Sequence, residues 1–159
     1  MEQDNDAARV RFFPPGIPIL TVLIGFILDQ VWPIFEKHTV STPFRYYLGG
    51  TIIFGAVLLL GLWSVLLFRK GGQSENPWKP TPHIEERGPF KITRNPMYLQ
   101  MVLICIGVSI AFANMWILLL TPITVWALQT LAIKPEEAYL EEKFGETYLA
   151  YKSRVRWWI

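Results

Sequence analysis

Residues 95–133 read NPMYLQMVLICIGVSIAFANMWILLLTPITVWALQTLAI, and this stretch decides the fold. Two apolar runs, Pro96 to Phe112 and Met115 to Ile133, are separated only by Ala113 and Asn114. A connection that short forces two helices into an antiparallel hairpin. Small residues at Cys105, Gly107, Ser109, Ala111 and Ala113 let those helices pack closely. At its head, Asn95 followed by Pro96 is a helix-start signature: a side-chain acceptor at the N-cap, then a residue whose fixed φ suits the first helical position. Such a start leaves unpaired N–H groups and a partial positive charge facing whatever lies ahead of it.

Two further apolar runs precede the hairpin. Ile17 to Phe35 and Tyr47 to Phe68 are each long enough, at ~1.5 Å per residue, to approach or cross a ~30 Å hydrocarbon core. The chain is 52% hydrophobic and 18% charged, and its mean hydropathy is +0.28. Apolar runs of that length exceed what a small water-soluble core can use, so the expected fold class is all-α, an integral membrane bundle of four transmembrane helices. Asp29, near the end of the first run beside Trp32 and Pro33, is read as a headgroup-level acid, with a functional role as the alternative. The first sixteen residues are acidic and then Pro-rich, without the pattern of a secretory signal, so the first run is expected to stay in place. The whole chain is expected to be one domain.

Charge sets the orientation. Of fifteen Lys and Arg residues, only Lys37 and Arg45 lie between the first two runs, and none lies in the hairpin turn. The positive-inside rule therefore puts the N-terminus, the connector 71–95 and the tail on the cytoplasmic side. The tail, 135–156, carries Leu140, Phe144, Tyr148, Tyr151 and Val155 at helical spacing. It reads as one amphipathic helix on the membrane surface, with Trp157 and Trp158 as interfacial anchors. A net charge of +2 gives no reason to expect nucleic acid as a partner. Cys105 is the single cysteine and reads as a small buried hydrophobe, so neither a disulfide framework nor a thiolate metal site is expected.

Two clusters of reactive residue types share the cytoplasmic mouth: Arg94-Asn95-Pro96-Met97-Tyr98 and, where the hairpin returns, Glu136-Glu137. Taken with Gly88-Pro89-Phe90 ahead and Phe144-Gly145-Glu146, Tyr148 and Tyr151 behind, this spacing resembles the isoprenylcysteine carboxyl methyltransferase and phospholipid methyltransferase family. The resemblance covers roughly the C-terminal half. It implies an integral membrane methyltransferase, multi-pass in a bacterial cytoplasmic membrane, that uses S-adenosyl-L-methionine as cofactor and no metal.

By the same resemblance, His83, Ile84, Glu85, Phe90, Asn95, Pro96, Met97, Tyr98 and Glu136 bind the cofactor, while Arg94 and Glu137 are catalytic. The substrate it implies is a lipophilic small molecule or lipidated acceptor entering from the bilayer. Carboxyl O-methylation of an isoprenylcysteine-like acid is the first expectation. N-methylation of a phospholipid amine, or methylation of another small hydrophobic acceptor, is the second, and a helical scaffold without turnover is the third. Ala132 stands where the isoprenylcysteine branch carries an arginine, with Lys134 the nearest cation. The residues themselves agree with a donor site: helix-start N–H groups suit a carboxylate, Glu136 is an acceptor for amine or hydroxyl, and Phe90 and Tyr98 offer ring faces to a sulfonium.

Overall fold

The computed structural model describes Val10, residues 12–34 and residues 41–159. Phe35, the end of the first expected span, and residues 36–40 of the following loop lie outside these. Among the described residues the protein is helical, without strands; one isolated parallel bridge joins Thr93 to Arg156. Four apolar helices form the bundle: α1 (Gly16–Val31), α2 (Thr42–Lys70), α3 (Pro96–Phe112) and α4 (Met115–Phe144). A fifth, α5 (Glu146–Arg154), closes the chain.

Helix limits follow local chemistry. Pro43 occupies the first turn of α2 and Pro96 the first turn of α3. Arg69 and Lys70 end α2, where cations suit the negative pole. The α3–α4 connection is the expected tight turn. Ala113 takes a left-handed φ of 49°, and Asn114 caps α4 by accepting from the Ile117 N–H at 3.1 Å. The other end of the Asn114 amide donates to the Gly25 carbonyl oxygen at 3.1 Å, tying α1 to the hairpin.

Two expectations about the tail are corrected. The fourth helix does not stop at Ile133; it runs on through Pro135 to Phe144. A wide π-helical turn at Gln129–Ile133 precedes Pro135, which then sits in the first turn of the resumed α-helix, where a missing N–H is tolerated. The single surface helix expected over 135–156 is instead two segments. Gly145, at φ +51°, breaks it, and only glycine reaches that conformation cheaply.

The bundle is packed through small and hydroxyl-bearing residues. α2 lies against α3, α1 against α4, and α3 against α4. At Gly49 and Gly107 the backbones of α2 and α3 come so close that a Cβ on Gly107 would stand 2.8 Å from the Gly49 carbonyl oxygen. Thr21 of α1 and Thr124 of α4 share a hydrogen bond between the helices, and Cys105 is fully buried. Outward, by contrast, Ile19, Leu23, Ile27, Phe54, Leu59, Ile123 and Trp126 are exposed. An apolar belt around a polar-seamed interior is the pattern a bilayer covers.

By length and composition α2 and α4, of 29 and 30 residues, can cross a membrane. α1 and α3, of 16 and 17 residues, span about 24 and 26 Å at ~1.5 Å per residue. Asp29, in the last turn of α1, is 4% exposed and faces the bundle.

The close crossing gives a test. Gly107→Leu should cost roughly 1–3 kcal/mol through overpacking, whereas Gly50→Leu, with open space where its Cβ would lie, should cost little. Thermal unfolding in detergent would show a clear drop in Tm for the first variant only; equal effects would remove Gly107 from the helix seam.

Candidate functional site

The connector between α2 and α3 folds over the head of α3 and ends in a single 3-10 turn, Gly88–Lys91. Gly88 opens that turn at φ +57°. Phe90 is thereby driven inward, 5% exposed, and stacks on Phe68 with ring centroids 5.1 Å apart. Tyr151 of α5 fixes the turn from the other side, its hydroxyl donating to the Phe90 carbonyl oxygen at 2.8 Å.

Behind it lies the densest polar network of the chain. Arg94 donates to Glu137 Oε1 from Nε (2.8 Å) and Nη2 (2.7 Å), and both side chains are 7% exposed. Its Nη1 donates to the Lys152 and Val155 carbonyl oxygens, and the Trp157 ring lies 5.9 Å from its guanidinium carbon. Trp157 Nε1 donates to the other oxygen, Glu137 Oε2, at 2.6 Å. The Trp157 carbonyl oxygen accepts from Thr93 Oγ1 at 2.8 Å and Asn95 Nδ2 at 3.2 Å. The chain's last residues are thus pinned to the head of α3. Sequence reasoning missed this role of Trp157, which is half-buried and packs against the core cluster; an indole in a tail that follows Tyr148 and Tyr151 was its only signal.

The network changes what the head of α3 offers. Asn95 was expected to cap the helix through its side chain, but it makes no such bond, because its amide is turned to the tail. With the cap absent, the first N–H groups of α3 stay available beside an open chamber. That chamber holds about 400 Å³, within the ~300–1,000 Å³ of small-molecule sites. It brings together Phe90, Arg94, Asn95, Pro96, Met97, Tyr98 and Glu136, all named from the sequence. Tyr98 donates to Glu136 Oε2 at 2.9 Å, joining α3 to α4 across the hairpin. Burial of Glu136 raises its carboxyl above the ordinary range, as does the charge of Glu137, while the Tyr98 hydrogen bond opposes both.

A smaller chamber of about 60 Å³ adjoins it, and there His83, Ile84 and Glu85 lie, beside Glu137 and Tyr148. Glu85 is already engaged: Arg87 donates to both of its oxygens, holding its carboxyl below the usual range against the cost of its burial. His83 Nε2 stands 3.9 Å from the same carboxylate.

Further contributors were not foreseen. Phe13, Pro14 and Pro15, ahead of α1, wall the larger chamber. They are held there by stacking of Phe13 on Trp78 (6.4 Å) and by a 2.8 Å bond from Trp78 Nε1 to the Val10 carbonyl oxygen. Gln73 faces both chambers, and its Oε1 is buried without a hydrogen-bond partner among the described residues. A buried acceptor left open at a cavity wall waits for a donor. Among the described residues no group of three or more His, Cys, Asp or Glu could hold a metal.

The latch makes a prediction. Trp157→Phe keeps the ring but deletes a donor to a buried carboxylate, which should cost about 1–3 kcal/mol. Arg94→Ala, stranding Glu137 as a buried charge, should cost about 3–5 kcal/mol. Limited proteolysis would show the C-terminus cut faster in both, in that order; a tail as resistant as wild type would refute the latch.

Comparison with known proteins bears on the same region. The family model described as phospholipid methyltransferase matches residues 44–147, from the first turn of α2 to the start of α5. A protein of Haemophilus influenzae described as uncharacterized is 36% identical over 63 residues, which is 40% of this chain and the whole of that relative. No solved structure matches. Since the matched segment covers more than half of the sequence and contains both the Arg94–Tyr98 and the Glu136–Glu137 clusters, this chain belongs to the phospholipid methyltransferase family.

Proposed function

We propose that the protein is an S-adenosylmethionine-dependent membrane methyltransferase acting on a lipophilic acceptor. The observation that carries this reading is the chamber at the uncapped head of α3, walled by Tyr98, Glu136 and Gln73. In this reading the donor's carboxylate takes the free N–H groups of Met97 and Tyr98, as anions do at helix starts. Its amino group and hydroxyls take Glu136 and the open Gln73 Oε1. Phe90 and Tyr98 supply ring faces to the adenine or the sulfonium. Methyl transfer from a sulfonium needs an in-line acceptor and a site with little water, and the connector and tail provide the roof. We further propose that all four apolar helices cross the bilayer, with both termini and the chamber on the cytoplasmic side, in keeping with the charge distribution.

The acceptor reaches the chamber from the lipid side. An apolar groove lined by Leu59, Leu60, Trp63, Pro89, Ile92 and Leu103 runs along α2 to the far side of the Gly88–Lys91 turn. Of the two acceptor classes, one observation favours the lipid amine over the isoprenylcysteine-like acid. Arg94 is the one cation among the described residues lining the larger chamber, and its donors are committed to Glu137 and to the tail carbonyls. Ala132 is buried in the core and Lys134 is exposed, so neither supplies a cation in its place. A carboxylate nucleophile would find four of the five Arg94 N–H groups already taken, whereas an amine finds acceptors. On this reading Arg94 and Glu137 position the tail and the head of α3.

Calorimetry with S-adenosylmethionine should detect binding to wild type, at least tenfold weaker binding to Tyr98→Ala and Glu136→Gln, and severalfold weaker binding to Gln73→Leu. Unchanged affinities would remove these residues from the donor site. A labelled-methyl screen offering aminophospholipids beside prenylcysteine analogues should label the amines; labelling of the acid alone would reverse the acceptor assignment.

The raised Glu136 carboxyl adds a pH dependence. As pH rises through its elevated titration, Glu136 ionises, and affinity for the cationic donor should increase above the ordinary carboxylate range. In Glu136→Gln that rise should vanish; its persistence would assign the effect elsewhere.

A further inference from the structure

At the opposite end of α3 from the donor chamber, the structure holds a second cavity with a different character. It encloses about 270 Å³ between the first turn of α2 and the α3–α4 turn, and its walls are chiefly Phe44, Leu48, Ile110, Met115 and Leu118. α3 has 17 residues, so about 26 Å separates the two sites at ~1.5 Å per residue.

One charged side chain enters this apolar slot. Arg45 lines it, and its Nε and Nη1 are buried with no hydrogen-bond partner among the described residues. The ring of Tyr46 lies 5.5 Å from its guanidinium carbon and offers a π face but no acceptor in the guanidinium plane. The polar groups nearby are committed elsewhere: Ser109 Oγ donates to the Asn114 carbonyl oxygen, and the Asn114 side chain is divided between Gly25 and Ile117. Arg45 as a whole is half-buried, and because a guanidinium cannot shed its proton, its two buried nitrogens call for an anion arriving from outside. Its planar donors match the oxygens of a phosphate, and the slot beside them matches hydrocarbon.

We propose that this cavity holds a phospholipid of the leaflet opposite the donor chamber. The phosphodiester is bound by Arg45 and an acyl chain lies between Leu48, Ile110 and Leu118. Charge complementarity and the apolar wall select this occupant together. Phosphate alone would leave the slot empty, and hydrocarbon alone would leave the guanidinium without an acceptor. The bound lipid bridges α2 to the hairpin turn at the end of the bundle where the donor site does not reach.

Native mass spectrometry of the full chain, released from detergent after titration with phosphatidylglycerol, tests this. Wild type should retain one phosphatidylglycerol, and its Tm in detergent should rise with the lipid. Arg45→Gln, which removes a buried charge and so should fold, is expected to lose the adduct at least tenfold and to lose the Tm rise. Leu118→Trp, which fills the slot and leaves Arg45 in place, should lose it as well. Retention by Arg45→Gln equal to wild type, or equal retention of diacylglycerol lacking phosphate, would overturn the assignment. So would competition by inorganic phosphate at matched concentration, which would make this a free-anion site and not a lipid site.

Discussion

The buried pairing of Arg94 with Glu137 is the constraint on which the rest of this structure depends. One residue stands just ahead of α3 and the other on the C-terminal part of α4, so a single bidentate contact fixes where the hairpin's two ends meet. Two charges so buried are tolerable only when their remaining donors and acceptors are also satisfied. Those partners come from the tail: the Lys152 and Val155 carbonyl oxygens for Arg94, and the Trp157 indole for Glu137. The tail is therefore docked because the pair requires it, and the pair is held because the tail docks.

Everything at the larger chamber inherits this arrangement. With the tail in place, Asn95 turns its amide toward Trp157 and leaves the α3 N-terminus uncapped. Helix continuity through Pro135 brings Glu136 within reach of the Tyr98 hydroxyl, and the glycine break at Gly145 lets Tyr148 and Tyr151 fold back on the connector. The same side chains that hold the fold thus leave a mostly apolar chamber with a few polar groups beside a positive helix pole. That is the chamber in which we propose methyl transfer occurs, and the commitment of Arg94 to structure bears directly on which acceptors it accommodates.

The two ends of α3 present opposite solutions to the same problem. At the N-terminal end a guanidinium is surrounded by protein acceptors; at the other, Arg45 Nε and Nη1 have none among the described residues. The contrast arises from chain available to fold back. Fifteen residues follow α4 and supply carbonyls to Arg94, whereas the hairpin turn of Ala113 and Asn114 spends its own polar groups on capping and on α1.

Much of the fold was legible in the sequence because apolar run length and a two-residue connection are local signals. The hairpin, the limits of α3 and the meeting of Arg94–Tyr98 with Glu136–Glu137 follow from them. Also legible, through spacing across separated motifs, was the family. What local patterns could not supply was the partner of each polar group. Asn95 looks like an N-cap, Trp157 like an interfacial anchor and Asp29 like a headgroup acid when each is read beside its neighbours in the chain. Asn95 gives up the cap for the Trp157 carbonyl oxygen, Trp157 gains Glu137 as a partner, and Asp29 is enclosed by the bundle, each through residues distant in sequence. The sequence by itself determined which segments are helical and which end carries the reactive residues. Only the tertiary structure decided which of those residues are spent on holding the site and which remain open to a ligand, since that depends on contacts across 40 to 60 residues of chain that no local periodicity encodes.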